Sequence, residues 1–293
     1  MHKFLRAVGF ASLKKRDDFE SLIHKIAAES SERAFTSISD DTMIAVYSKE
    51  FAPGIGISVC GEFNEENQFF YDYSFPYLRG NMVSSYEDIS IERHADKESY
   101  AGICDEARLG VSLIFFVQNI VPYIRAMNAG LLPVKGTSVT LSALSVNGTV
   151  MMPLAKTESN RQKAQKAGIE RVRLVEAARR GDEEAMESLT IDDMDTYTAL
   201  SKKIRKDDIF TLVDTFFMPY GVECDQYSIL GEIQQVELVK NAYTNEEIYK
   251  LQLKSNEVIL DVCINKLDLY GEPEIGRRFK GTIWLQGFIN YPI

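Results

Sequence analysis

No CxxC pair, no cysteine–histidine cluster and no long apolar run occur in this chain. Its four cysteines, Cys60, Cys104, Cys224 and Cys263, lie 44, 120 and 39 residues apart. That spacing excludes a conventional zinc-ligand set and suggests no disulfide framework, so no metal site is expected. The cysteines read instead as free thiols in a reducing compartment. Neither a Walker loop nor a GxGxxG turn before a helix is present, and no cofactor is expected. The most apolar segment, "GVSLIFFVQNIVPYI", contains Gln118, Asn119 and Pro122. It falls short of the roughly 18 residues a membrane helix needs. At the start, Arg6 and then Lys14, Lys15 and Arg16 interrupt any signal-peptide run. The expected location is therefore cytoplasmic, with no membrane partner. Basic residues are outnumbered, 33 against 43, for a net charge of −10 over 293 residues. Such a balance disfavours a protein that coats nucleic acid with its whole surface.

What is present divides into three regions. Residues 1–155 begin with a helix in "KKRDDFESLIHKIAAESSE", where Phe19, Leu22, Ile23, Ile26 and Ala27 recur at helical spacing. Period-two patterning follows in "TMIAVYS", "GIGISVC", "QFFYDYSF" and "DISIE", which predicts strands. "TSVTLSALSVNGTVMMPL" predicts a hairpin turning at Asn147-Gly148, and Ile120 to Met127 a short helix ended near Gly130. This region is expected to be a mixed, largely antiparallel α+β domain. Residues 156–220 show no strand pattern and predict a helical bridge, with Gly181 as a helix stop. Its last helix is expected in "DDIFTLVDTFFMPYG", from the stripe Ile209, Leu212, Val213 and Phe216. Residues 221–293 return to period two, with a bend near Gly231 to Gln235, and predict a small OB-like β-barrel.

Several constellations carry residue types suited to chemistry or binding. His94, with Asp96 and Glu98 nearby, has the groups for proton transfer, because a carboxylate orients and charges an imidazole near neutral pH. No nucleophile elbow accompanies them, and a solvated, salt-bridged loop is the competing interpretation. "GEPEIGRRFKGTIWLQG" places Arg277, Arg278 and Trp284 close together. It reads mainly as a turn with solvent-facing arginines leading into the last strands, and secondarily as a ligand or partner contact. In that strand Trp284 and Gln286 face opposite to Ile283 and Leu285. The aromatic run in "QFFYDYSFPYLRG" is either the two sides of a core strand or a stacking platform. From Lys156 to Arg180 there are 8 basic and 3 acidic residues. On a continuous helix Lys163, Lys166, Arg173 and Arg180 share one arc, which suits RNA phosphates, an acidic protein surface or the acidic remainder of the chain.

"RRGDEEAMESLTIDDMDTYTALSKKIRKDDIF", "FMPYGVECDQYSILGEI", "GEPEIGRRFKGTIWLQG", "MHKFLRAVGF" and "RHADKESYAGICDEARLG" together resemble an uncharacterised family of bacterial proteins found mainly in Clostridia-type organisms. The resemblance spans the whole chain and implies a cytoplasmic bacterial protein. It brings a domain of unknown function, with no activity, cofactor or site residue to carry over. The expected function is that of a non-enzymatic cytoplasmic binding or regulatory protein recognising a protein or small ligand. The alternatives are an enzyme with an acid/base site around His94, and an RNA-associated factor using the basic helix 163–180 and the barrel. Nucleic acid is disfavoured as a partner, and homo-oligomerisation is left open.

Overall fold

Period-two apolar patterning becomes strand nearly wherever it occurs. The computed structural model describes residues 2–39, 42–64, 66, 68–94, 98–153, 169–170, 173–178, 180–189, 191, 213–222 and 224–292. A 3₁₀ helix over Lys3–Val8 precedes helix α1 (Arg16–Ala28). Helix α1 buries Leu22, Ile23 and Ile26, with Asp17 and Asp18 in its first turn and Lys25 in its last, the arrangement that suits a helix dipole. Strands β1 (Glu32–Ser37), β2 (Met43–Ala52), β3 (Ile55–Phe63) and β4 (Phe69–Leu78) form an antiparallel sheet in chain order. Then come β5 (Ile89–Arg93), β6 (Tyr100–Glu106), β7 (Val111–Val117), helix α2 (Ile120–Asn128) and β8 (Ser138–Met151). The C-terminal part supplies β9 (Phe216–Pro219), β10 (Gln226–Lys240), β11 (Glu247–Ser255) and β12 (Val258–Asn265). A 3₁₀ turn over Lys266–Asp268, β13 (Leu269–Tyr270) and β14 (Arg278–Asn290) complete it.

Five of these strands close into a barrel in the ring order β8–β12–β11–β10–β14 and back to β8. The β8–β12 contact is parallel and the other four are antiparallel. Closure leaves the barrel without a free edge. Alternate residues fill it: Leu141 and Ala143 from β8, Leu251 and Leu253 from β11, Leu260 and Val262 from β12, and Phe279, Ile283 and Leu285 from β14. Near the far end of β14, Gln286 and Gly287 pair in parallel with Phe116 and Val117, which attaches the β5–β6–β7 meander to the barrel. A second core lies outside the barrel wall. There Leu144, Ile248, Cys263 and Trp284 meet Phe4, Leu5 and Phe10, Leu22 and Ile26 of α1, and Ile57, Val59 and Phe75 of the four-stranded sheet. The fold is thus α+β, with an antiparallel sheet and a small closed barrel.

Two expectations change. Asn147-Gly148 is not a hairpin turn, because β8 runs unbroken from Ser138 to Met151 and pairs with β14 along its whole length. Gly148 lies opposite Gly281, and a Cβ on either would fall under 3.0 Å from the Phe279 ring. The glycine makes room inside a coiled barrel strand rather than turning the chain. The barrel also draws one strand from residues 138–151, outside the 221–293 segment. The second change concerns "FFMP": it is strand β9, paired with β10, and not the end of a helix. Phe217 is buried while Met218 is exposed, a period of two. In the bridge, described residues 169–170, 173–178 and 183–189 are helical, and Gly181 has a φ of 89° after the helix stops. Ile209, Leu212, Lys163 and Lys166 lie outside the described residues.

Candidate functional site

Of the histidine constellation, the described residues His94 and Glu98 share no hydrogen bond. His94 follows the last residue of β5 and is exposed; its Nδ1 sits 2.8 Å from the Ser99 hydroxyl, and its backbone N–H donates to Ser99 O. Glu98 turns elsewhere. Its carboxylate pairs with Arg93 at 2.5 Å and accepts from the Tyr100 hydroxyl at 2.9 Å. Asp96 lies outside the described residues. Arg173 is exposed beside Glu170 at 3.6 Å, and Arg180 sits in the turn after the helix.

The arginine turn is consumed by the fold. Arg277 donates to Glu272 O at 2.9 Å and pairs with Glu274 at 2.8 Å, closing its own turn. Arg278 is buried rather than solvent-facing, donating to Met152 O at 3.1 Å and Val213 O at 3.0 Å. Burial lowers its pKa, with the Asp214 charge opposing. Trp284 faces opposite to Ile283 and Leu285, as its parity predicts, but it is 5% exposed. It stacks on Phe4 at 5.4 Å, lies against His2 and Phe116, and donates from Nε1 to Asp225 at 2.6 Å. The N-terminal 3₁₀ helix therefore covers the barrel face on which a stacking ligand would sit.

One surface of different character lies along β4, whose strand partner among the described residues is β3 on one side alone. Near its C-terminal end the other side is occupied. Gln286 Nε2 donates to Pro76 O at 2.8 Å, while Ser142 Oγ and Gln118 Nε2 donate to Leu78 O at 2.6 and 2.9 Å. Gln286 and Ser142 belong to a polar row, Gln286–Ser142–Asp261–Gln252, that crosses four barrel strands in register. Asp261 ends this fastening by accepting from Asn81 N at 2.7 Å. Toward the start of β4, from residue 69 to 72, no bond from beyond β3 reaches the backbone among the described residues. Phe70 and Tyr71 are 56% and 47% exposed there. The distal edge of the same sheet is guarded: Arg125 and Asn128 of α2 donate to Phe35 O and Ser37 O of β1.

A bulge shapes this open stretch. Gly61 faces Tyr71 and Cys60 faces Tyr73, which leaves Asp72 as the extra residue. Consecutive residues of a regular strand point to opposite faces; the bulge lets Asp72 and Tyr73 line one hollow together. The hollow is shallow and opens to solvent, with a volume of about 10 Å³, room for one water, and Ile44, Cys60, Glu62, Glu98 and Ile120 are also on its walls. Glu62 and Asp72 have no cationic partner among the described residues, whereas Glu98 has Arg93. Burial pushes the Cys60 thiol up to about 12, and the Asp72 carboxylate adds to the rise. Burial also holds the Tyr73 phenol well above its ordinary value, with Cys60, Asp72 and Glu98 adding to it. Neither group supplies a nucleophile or proton carrier near neutral pH.

A family model described as a domain of unknown function from an E. rectale gene, DUF3881, matches residues 5–287. The chain belongs to the DUF3881 family. No curated protein and no solved structure matches it. Membership of DUF3881 thus carries no activity with it, and the site rests on geometry. Sequence reading left the aromatic run, Phe70 and Tyr71 included, as either the two sides of a core strand or a stacking platform, and gave Asp72 no role. The available signal was Asp72, a lone charge inside that run. Among the described residues, no three or more His, Cys, Asp or Glu side chains converge as metal ligands, and no helix is long and apolar enough to cross a membrane.

Proposed function

We propose that this DUF3881 protein is a non-enzymatic cytoplasmic binding or regulatory protein, and that it recognises its partner at the open edge of β4. The observation that carries the reading is the combination, from residue 69 to 72, of a sheet edge without a strand neighbour and two exposed aromatic rings. A strand edge offers a row of N–H and C=O groups to an incoming chain, and aromatic rings beside it add contact area. Native sheets normally blunt such edges with short strands, charges or covering side chains. The short β5 carries Glu92 and Arg93, and β1 is covered by α2, so β4 is the long edge left uncovered among the described residues. The exposed setting of His94, with its ring engaged by Ser99, favours this reading over an acid/base enzyme.

The test is co-purification from the host type followed by native mass spectrometry, comparing the wild-type chain with a variant carrying both Phe70→Lys and Tyr71→Lys. These rings are exposed, so the variant should fold. A stoichiometric component bound by the wild type and lost from the variant supports the reading. A component retained by the variant, or a turnover abolished by His94→Ala, would overturn it.

A further inference from the structure

The geometry points to an extended basic peptide, one that presents lysine or arginine at alternate positions, as the occupant of the β4 edge; this inference rests on the edge reading above. Backbone pairing along residues 69–72 orients the incoming strand, and every second side chain then projects toward the hollow side. Glu62 and Asp72 border that side, neither with a cationic partner among the described residues. The bulge is what brings Asp72 there, since in a regular strand either Asp72 or Tyr73 would point away. A lysine or arginine head at such a position would sit at the solvent mouth of the hollow, beside Asp72 and Glu62.

Charge also rejects the competing occupant. A second copy of this chain would pair β4 with β4 and bring two sets of Glu62 and Asp72 carboxylates together, on molecules that each carry −10. An inward-pointing charge on an edge strand is a known defence against such self-pairing. At this edge it discriminates: a like-charged strand is repelled while a basic one gains an ion pair.

Amide chemical shifts on the full chain test this, with alternating Val-Lys, Val-Thr and Val-Glu octapeptides, blocked at both ends, as probes. The Val-Lys peptide should move the amides of residues 69–72. Its affinity should fall about fivefold in Asp72→Lys, which exchanges a weak exposed attraction for a repulsion. Affinity should also fall as salt rises from about 50 to about 300 mM. Asp72 is exposed, so the variant tests charge without disturbing the core. Equal binding by Val-Thr at the same amides would overturn the charge inference while leaving the edge as a docking site. Val-Lys binding that leaves those amides unmoved would overturn the inference outright. Concentration-dependent pairing of the unliganded protein through 69–72 would replace the peptide with a second copy.

Discussion

Phe115 provides a quantitative test of how the meander is held to the barrel. Its ring, fully buried, lies on β7 between two glycines on the flanking strands, Gly102 of β6 and Gly287 of β14. A Cβ at Gly287 would fall under 3.0 Å from two atoms of that ring and at 3.0 Å from Val139 Cγ2. Ordinary carbon contacts need 3.4 Å or more, so Gly287→Ala must shift the ring or spread the strands. Overpacking of this kind costs about 1–3 kcal/mol. Stiffening of the unfolded chain returns about 0.4–1 kcal/mol. The expected net loss is about 1–2 kcal/mol, a drop in Tm of about 2–4 °C per kcal/mol if the chain melts as a medium-sized unit. In a Phe115→Ala background the ring atoms are gone and only the 3.0 Å approach to Val139 Cγ2 remains, so the same alanine should cost much less. The assay is urea unfolding followed by emission of Trp284, the only tryptophan and buried three residues before Gly287 on the same strand. Far-UV circular dichroism on the same samples checks that the transition is shared. A cost of Gly287→Ala that agrees within about 0.5 kcal/mol between the two backgrounds would refute the ring-in-slot account.

Other outcomes follow from buried polar groups. Burial alone would raise the Glu246 carboxyl, but bonds from Ser12, the Ala11 and Ser12 N–H groups and Asn265 hold it below the usual carboxylate range. A depressed folded pKa stabilises above the unfolded value, about 4.3, and the effect is lost as pH falls through the folded one. Glu246→Gln should therefore cost about 1.5–3 kcal/mol at pH 7 and much less well below that unfolded value; equal costs at both pH values in urea titrations would count against it. Asp261 behaves oppositely, because burial raises its pKa despite the Asn81 and Gln252 bonds. Its ionisation opposes folding, so the wild-type chain should gain stability from this group as pH falls through its raised pKa, a gain that Asp261→Asn abolishes. Gln286→Leu should cost about 1–3 kcal/mol by stranding Pro76 O; an unchanged urea midpoint would show that the polar row does not fasten β4. Burial pushes the Cys60 and Cys104 thiols up to about 12 and raises Cys263 as well, while Cys224 is exposed. Native chain should thus react once with a thiol reagent and four times when unfolded; rapid native labelling of Cys60 would contradict its burial.

Local patterning determined the elements of this protein. Helix α1, strands β2 to β4 and the opposed faces of β14 follow from side-chain periods of 3.6 and 2, which depend on neighbours within a few residues. The family resemblance was legible for the same reason, since it rests on contiguous motifs. Tertiary structure decided what those elements meet. Asn147-Gly148 carries the signature of a hairpin, but thirteen-residue pairing with β14 keeps the strand continuous through it. Trp284, Arg277 and Arg278 look like a binding turn until Phe4, Glu274 and the carbonyls of Met152 and Val213 claim them. Asp72 reads as one charge in an aromatic run until a bulge in the β3–β4 register turns it beside Tyr73. A side chain's type is local, but whether it is buried, paired or left open depends on its partners, which for Arg278 lie 65 and 126 residues away, and only the closed chain brings those together.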